Sequence, residues 1–154
     1  MQRRDFFKTL TTAAVVGATM PVMSFAAEAP KGVNALSYQK ALEVVTGGKK
    51  PIKSSKIHLK VPEIAENGAV VPVTVEVDSP MTPDDYVKSI HVFNTKNNNS
   101  RCLDINLTPA NGKAMIATRI KLGGTQDVVA VAELSNGEFL IASQSVKVTI
   151  GGCG

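Results

Sequence analysis

The chain has 154 residues and a formal charge of +4; 44% of it is hydrophobic but only 5% aromatic, with no tryptophan. Its core must therefore be built from Val, Ile, Leu and Ala, which favours strands, and no basic stripe with interleaved aromatics supports nucleic-acid binding. Residues 1–26 hold 3 of the 17 basic and 1 of the 13 acidic side chains, so 14 basic face 12 acidic in a nearly neutral remainder.

The amino terminus carries Arg3-Arg4-Asp5-Phe6-Phe7-Lys8, a mostly apolar run over residues 9–20, then Pro21 and Ser24-Phe25-Ala26-Ala27. A charged start, a short apolar centre and small residues before a cut site define a bacterial export signal. The apolar run is too short to span a bilayer comfortably. Paired Arg3-Arg4 with Phe6 and Phe7 behind them has the form of a twin-arginine signal, which exports folded proteins; a plain secretory signal with two adjacent arginines is the alternative. Cleavage is expected after Ala26, which leaves a periplasmic protein of one domain over 27–150 and a tail over 151–154.

Residues 28–34 read as a flexible lead. Leu36, Ala41, Leu42 and Val45 recur at helical spacing, Ser37 stands near the start, and Gly47-Gly48 ends the helix. Lys49, Lys50, Lys53 and Lys56 form a basic connector, expected to be a solvated face.

From Ile57 the period changes to two. Ile57, Leu59 and Val61 share one face, and Glu66-Asn67-Gly68 is a turn signal. Val71, Val73, Val75 and Val77 align opposite Pro72, Thr74 and Glu76; because proline cannot donate to a ladder, this strand is expected at an edge or with a bulge. After a loop over 78–85, residues 86–93 form a strand and 96–100 a polar loop. Leu103, Ile105 and Leu107 alternate with Cys102, Asp104 and Asn106, which places Cys102 on the face away from the core. Pro109-Ala110-Asn111-Gly112 turns the chain, and Ala114, Ile116, Ile120 and Leu122 face inward. Gly123-Gly124 turns it again, and the continuous apolar run over 128–134 suits a central strand. Asn136-Gly137 is a hairpin signal. In the last strand the apolar phase shifts around Ser143-Gln144-Ser145, so a bulge or bend is expected there. About seven strands after one short helix predict a mainly β fold, an immunoglobulin-like antiparallel β-sandwich, although no Cys…Trp…Cys signature is present.

His58 and His91 have no second histidine or cysteine at metal-ligand spacing and read as structural or surface residues. Asp84-Asp85 reads as a loop or strand cap. No nucleophile elbow or phosphate-binding glycine loop is present, so no self-sufficient active site, metal or cofactor is expected. The two cysteines, Cys102 and Cys153, carry most of the information. Val146-Lys147-Val148-Thr149-Ile150 alternates like a half-buried strand and ends in Gly151-Gly152-Cys153-Gly154. Glycines around a near-terminal cysteine make a narrow, mobile arm, a loose tether that can hand a thiol to other proteins. The alternative is an exported interaction module closed by a Cys102–Cys153 disulfide, the default state of two cysteines in an oxidising compartment. A thiol oxidoreductase is a weaker reading, because Cys-Xaa-Xaa-Cys is missing.

The terminal Val146-to-Gly154 stretch closely resembles the carboxyl terminus of the SoxY family, sulfur carriers of the bacterial thiosulfate-oxidising Sox system. The likeness extends through Thr118-Arg119-Ile120, Gln126-Asp127-Val128-Val129-Ala130-Val131-Ala132-Glu133, and Ala65-Glu66-Asn67-Gly68 with Val71-Pro72-Val73. Family members usually end with two glycines after the cysteine, here one, and Cys102 is a thiol the family's chemistry does not require. The resemblance implies a non-enzymatic carrier that pairs with SoxZ. Cys153 is implied as the sulfur-attachment residue and Gly151, Gly152 and Gly154 as the carrier arm. SoxXA would load thiosulfate onto Cys153, SoxB would hydrolyse the adduct to a persulfide, and SoxCD, where present, would oxidise the outer sulfur.

Overall fold

A computed structural model describes residues 35–152. It opens with helix α1 (Tyr38–Thr46) and continues through nine strands: β1 (Ile52–Lys53), β2 (Ile57–Lys60), β3 (Ile64–Asn67), β4 (Val71–Val77), β5 (Val87–Asn94), β6 (Arg101–Asn106), β7 (Ala114–Ile120), β8 (Gln126–Leu134) and β9 (Phe139–Ile150). The larger sheet runs β1-β9-β8-β5-β6, with β3 on the far half of β9, and the smaller runs β2-β4-β7. The two stack as a β-sandwich of immunoglobulin-like type. Most pairings are antiparallel, as expected, but β1 and β3 both pair with β9 in parallel.

The core between the sheets follows from the alternation. Val71, Val73, Val75 and Val77 of β4 project into it and meet Ile90 and Val92 of β5, Val128 and Ala130 of β8, and Val146 of β9. Burying each valine contributes roughly 1.5–3 kcal/mol, which is how a chain so poor in aromatics holds a sandwich together. The other face of the large sheet is covered in part by α1: Ala41 sits on Phe93, Val129, Val131 and Phe139. Gly47 ends that helix at φ +60°, a left-handed conformation that glycine adopts without strain.

Three expectations are corrected. Strand β4 is central in its sheet rather than an edge; Pro72 is tolerated because β2 spans only Thr74–Val77 of it, so at Pro72 the strand has one neighbour, Arg119 of β7. No bulge interrupts β9, whose register with β8 is unbroken from Phe139 to Val146. The apparent phase shift has another cause. Leu140, Ala142, Val146 and Val148 face the core throughout, while Phe139 and Ile141 are apolar because α1 covers their side, and Gln144 donates to the Val61 carbonyl at 3.2 Å. A bulge lies in β6 instead, and a second register shift falls between Val87 and Ser89 where β5 meets β8. Val92 pairs with Leu103 and Phe93 with Arg101, which leaves Cys102 as an extra residue and turns it toward the core rather than away from it.

Strand β9 changes partners midway. Up to Val146 it pairs with β8, and from Lys147 to Ile150 it pairs with β3. Its end therefore leaves the large sheet beside two loops, the β3–β4 turn and the β7–β8 loop.

Candidate functional site

Three backbone hydrogen bonds gather these segments at the foot of the tail. The Gly68 N–H donates to the Ile150 carbonyl at 2.7 Å, the Leu122 N–H to the Gly68 carbonyl at 2.7 Å, and the Gly152 N–H to the Leu122 carbonyl at 2.9 Å. Such an approach of three main chains leaves no room for side chains. A Cβ on Gly152 would stand 2.6 Å from the Ala69 nitrogen, one on Gly68 would stand 2.8 Å from the Gly152 nitrogen, and one on Gly151 would strike the Gly123 carbonyl. The sequence reading treats Gly151 and Gly152 as a loose tether, yet here both are packed against the sandwich. Cys153 and Gly154 lie outside the described residues.

The β7–β8 loop is fixed in turn by the β5–β6 loop. The Asn97 amide donates to the Lys121 carbonyl at 2.9 Å, and its oxygen accepts from the Gly123 N–H at 2.9 Å and from Gln126 Nε2 at 2.7 Å. Buried Gln126 closes the arrangement by accepting the Lys96 N–H at 2.9 Å. These two loops and Gly152 line an open hollow of about 420 Å³.

Cys102 lies across Asn97 from that cavity. It lines a second one, of about 300 Å³, with Arg101, Arg119 and Lys121. Asn94, buried at the end of β5, donates from Nδ2 to the Cys102 sulfur at 3.1 Å. Burial pushes the thiol up, and the hydrogen bonds from Asn94 do not offset it; Cys102 is therefore a protonated and poorly nucleophilic thiol at neutral pH.

His91 belongs to a network that periodicity does not reveal. Ser89 Oγ and His91 Nε2 are 2.9 Å apart, His91 Nδ1 and Asp104 Oδ1 2.5 Å, and Arg101 Nε donates to Asp104 Oδ2 at 2.6 Å. The first three residues have the atom order of a hydrolytic triad. Ser89 is only 4% exposed, however, so a substrate cannot approach its hydroxyl in this fold, and the network ties β5 to β6. Partial burial opposes the charge on Asp104, but the bonds from His91 and Arg101 win and hold its carboxyl below the usual range. His58 instead meets Asp78 at 2.9 Å on the surface. Asp84-Asp85 sits in a loop where the Asp85 N–H donates to Thr82 Oγ1 at 3.2 Å. Among the described residues no group of three or more His, Cys, Asp and Glu could hold a metal ion.

Comparison with known proteins decides the family. The family model described as "Sulfur oxidation protein SoxY" matches residues 42–153. The chain belongs to the SoxY family. A solved structure of the sulfur carrier protein SoxY from Chlorobium limicola f thiosulfatophilum is 32% identical, with a TM-score of 0.60 over 73% of this chain and 96% of that one. A superoxide reductase (neelaredoxin) from Ignicoccus hospitalis, 14% identical, has a TM-score of 0.55 over 60% of this chain and 80% of its own, a likeness of fold alone. No curated protein matched the sequence. The SoxY match runs through Cys153 and takes in every element of the foot: the Gly68 turn, the Asn97 loop, and the stretch from Leu122 to Gln126. Sequence reasoning missed Asn97 and Gln126 as organisers of that foot. An asparagine in a polar loop looks like any turn residue until its long-range partners are seen.

Proposed function

We propose that this chain is a sulfur carrier in sulfur oxidation, holding its cargo on Cys153 as an S-thiosulfonate or a persulfide. The observation that carries this reading is the end of β9: in a SoxY-family chain, the last strand delivers a glycine pair to a fixed point of the sandwich, and the residue after it is the cysteine. The chemistry needs little from the carrier. Loading joins the Cys153 thiolate to the outer sulfur of thiosulfate and releases two electrons to a c-type cytochrome enzyme, SoxXA. Addition of water by SoxB then frees sulfate and leaves the persulfide, and SoxCD, where it occurs, oxidises the outer sulfur for a second hydrolysis. Thiolate is the reactive form in such steps. The domain contributes presentation: Gly151, Gly152 and Gly154 keep the chain around the thiol narrow enough to enter a buried site.

The twin-arginine signal supports a periplasmic location after folded export, and no helix among the described residues is long and apolar enough to cross a membrane. The exposed apolar side chains of Ile64 and Ile150, on the β3–β9 pair, and of Val70 beside it suit a partner subunit, for which SoxZ is the candidate. The test is the intact mass of protein isolated from the periplasm, before and after mild reduction, with the tail peptide sequenced. A reducible sulfur or thiosulfonate adduct on Cys153 is expected. A protein about two hydrogens light, with Cys102 joined to Cys153 and no adduct after reduction and exposure to the loading system, would sink the carrier reading in favour of a disulfide-closed module.

A further inference from the structure

We propose that the hollow beside Cys102, on the open side of the sandwich between β6 and β7, binds a free tetrahedral oxyanion of the sulfate class that bridges the two sheets. The inference stands apart from the carrier reading: it concerns neither Cys153 nor any group it bears.

Placement is the first argument. The larger sheet ends on this side in β6 and the smaller in β7, and the two strands share no ladder. The hollow, of about 300 Å³, takes Arg101 and Cys102 from β6, Arg119 from β7, and Lys121 just after it. Neighbouring residues of a regular strand point to opposite faces. Arg101 and Cys102 share one hollow because the β6 bulge falls between their pairings, and bulges re-aim side chains in this way. Arg119 stands opposite Pro72, where β2 does not reach, and is exposed.

Charge is the second argument. Three cationic side chains line the hollow and no carboxylate does. Asp104 accepts the Arg101 Nε–H at 2.6 Å, which fixes the guanidinium and leaves its Nη groups without an acceptor among the described residues. Arg119 and Lys121 make no ion pair among the described residues. Like charges gathered in this way repel one another, a cost that a bound dianion removes. The floor does not compete for those cations. Asn94, only 1% exposed, gives its amide to the Asn99 carbonyl at 3.2 Å and the Cys102 sulfur at 3.1 Å, and its oxygen accepts the Asn97 N–H at 3.1 Å. The protonated thiol adds no negative charge. Guanidinium groups present paired N–H donors that match two oxygens of a tetrahedral oxyanion, a geometry that chloride cannot use.

The probe is sodium sulfate, titrated into the purified protein in chloride buffer at constant ionic strength. Amide NMR and the thermal midpoint are followed together. The expected result is a saturable displacement of the Arg101, Cys102 and Lys121 amides, with a saturable rise in midpoint, as for any ligand that binds only the folded state. Arg119→Gln and Lys121→Gln should each weaken apparent affinity about tenfold, and Arg119→Lys should weaken it less. Both positions are exposed, so the variants should fold, which unmoved core amides of β5 and β8 verify. Lys96→Gln, in the neighbouring hollow, and Cys153→Ser should leave the titration unchanged. A midpoint that rises linearly with sulfate, equally in the parent and in Arg119→Gln, would be the general effect of an excluded salt and would overturn the proposal. So would saturable binding that survives both glutamine substitutions, or binding lost in Lys96→Gln, which would put the ion beside Gly152. Neither outcome bears on sulfur loading, so the carrier reading stands or falls separately.

Discussion

At the scale of single residues, the two glycines before the cysteine have a second duty besides slenderness. Both pack against backbone, and so does their neighbour Gly68. Gly68→Ala places a methyl group against the Leu122 carbonyl and the Gly152 nitrogen, both backbone atoms that cannot swing aside. The expected cost is about 1–3 kcal/mol, read by denaturant unfolding. Gly152→Val should leave the sandwich folded, break the bond to Leu122 and slow the loading of Cys153; unchanged loading kinetics would count against a tail that works by its shape. Cys102 should behave as a silent thiol. Iodoacetamide at pH 8 is expected to label it about tenfold more slowly than free cysteine, a gap that closes on unfolding, and Cys102→Ser should leave sulfur loading unchanged. Asp104 gives a pH signature. Its folded carboxyl titrates below the unfolded one, so its contribution is present above the unfolded pKa and disappears as pH falls through the folded value. Asp104→Asn is therefore expected to lower stability at neutral pH and to shrink the difference from the parent at acid pH. A gap between the two proteins that stays constant across that range would refute the assignment.

At the scale of elements, helical spacing makes α1 readable, period-two alternation does the same for β2, β4, β6 and β7, and a continuous apolar run does so for the central strand β8. What alternation cannot show is pairing. Strands β1 and β3 are two and four residues long and gain their neighbour, β9, only through parallel contacts more than 80 residues away in the chain. The bulge at Cys102 escapes a sequence reading for a related reason: alternation along one strand cannot reveal that the partner strand supplies one residue fewer. Covering by α1 likewise imitates a phase change in β9. Of the candidate site, the glycine-flanked cysteine stands out in the sequence as an expectation, whereas the loops against which Gly151 and Gly152 pack do not. Asn97→Ala tests those loops directly. It removes bonds to Lys121, Gly123 and Gln126 at once and is expected to cost about 1–3 kcal/mol. Faster hydrogen exchange at Gly123 and Gly152 should accompany it, with the exchange of β5 and β8 core amides unchanged.

At the scale of the whole molecule, the sandwich is asymmetric in what its faces are for. One face of the large sheet is covered in part by α1 and by the Ser89–His91–Asp104–Arg101 network, whereas the β3–β9 side exposes Ile64, Val70 and Ile150. A charge at Ile150 (68% exposed) should leave the isolated protein folded, since nothing in its own core depends on that side chain, and weaken association with the SoxZ candidate, as measured by size-exclusion chromatography of the mixture. The bond from Gly152 to Leu122 has a consequence for distance. With it closed, the last anchored residue is adjacent to the cysteine, and the Cα of Cys153 can be only about 3.8 Å from that anchor. With it open, the anchor retreats to Ile150, and three extended residues span about 10 Å. On the proposed carrier reading, a shallow receiving site would be reached with that bond closed, and a deep one would have to supply enough binding energy to open it.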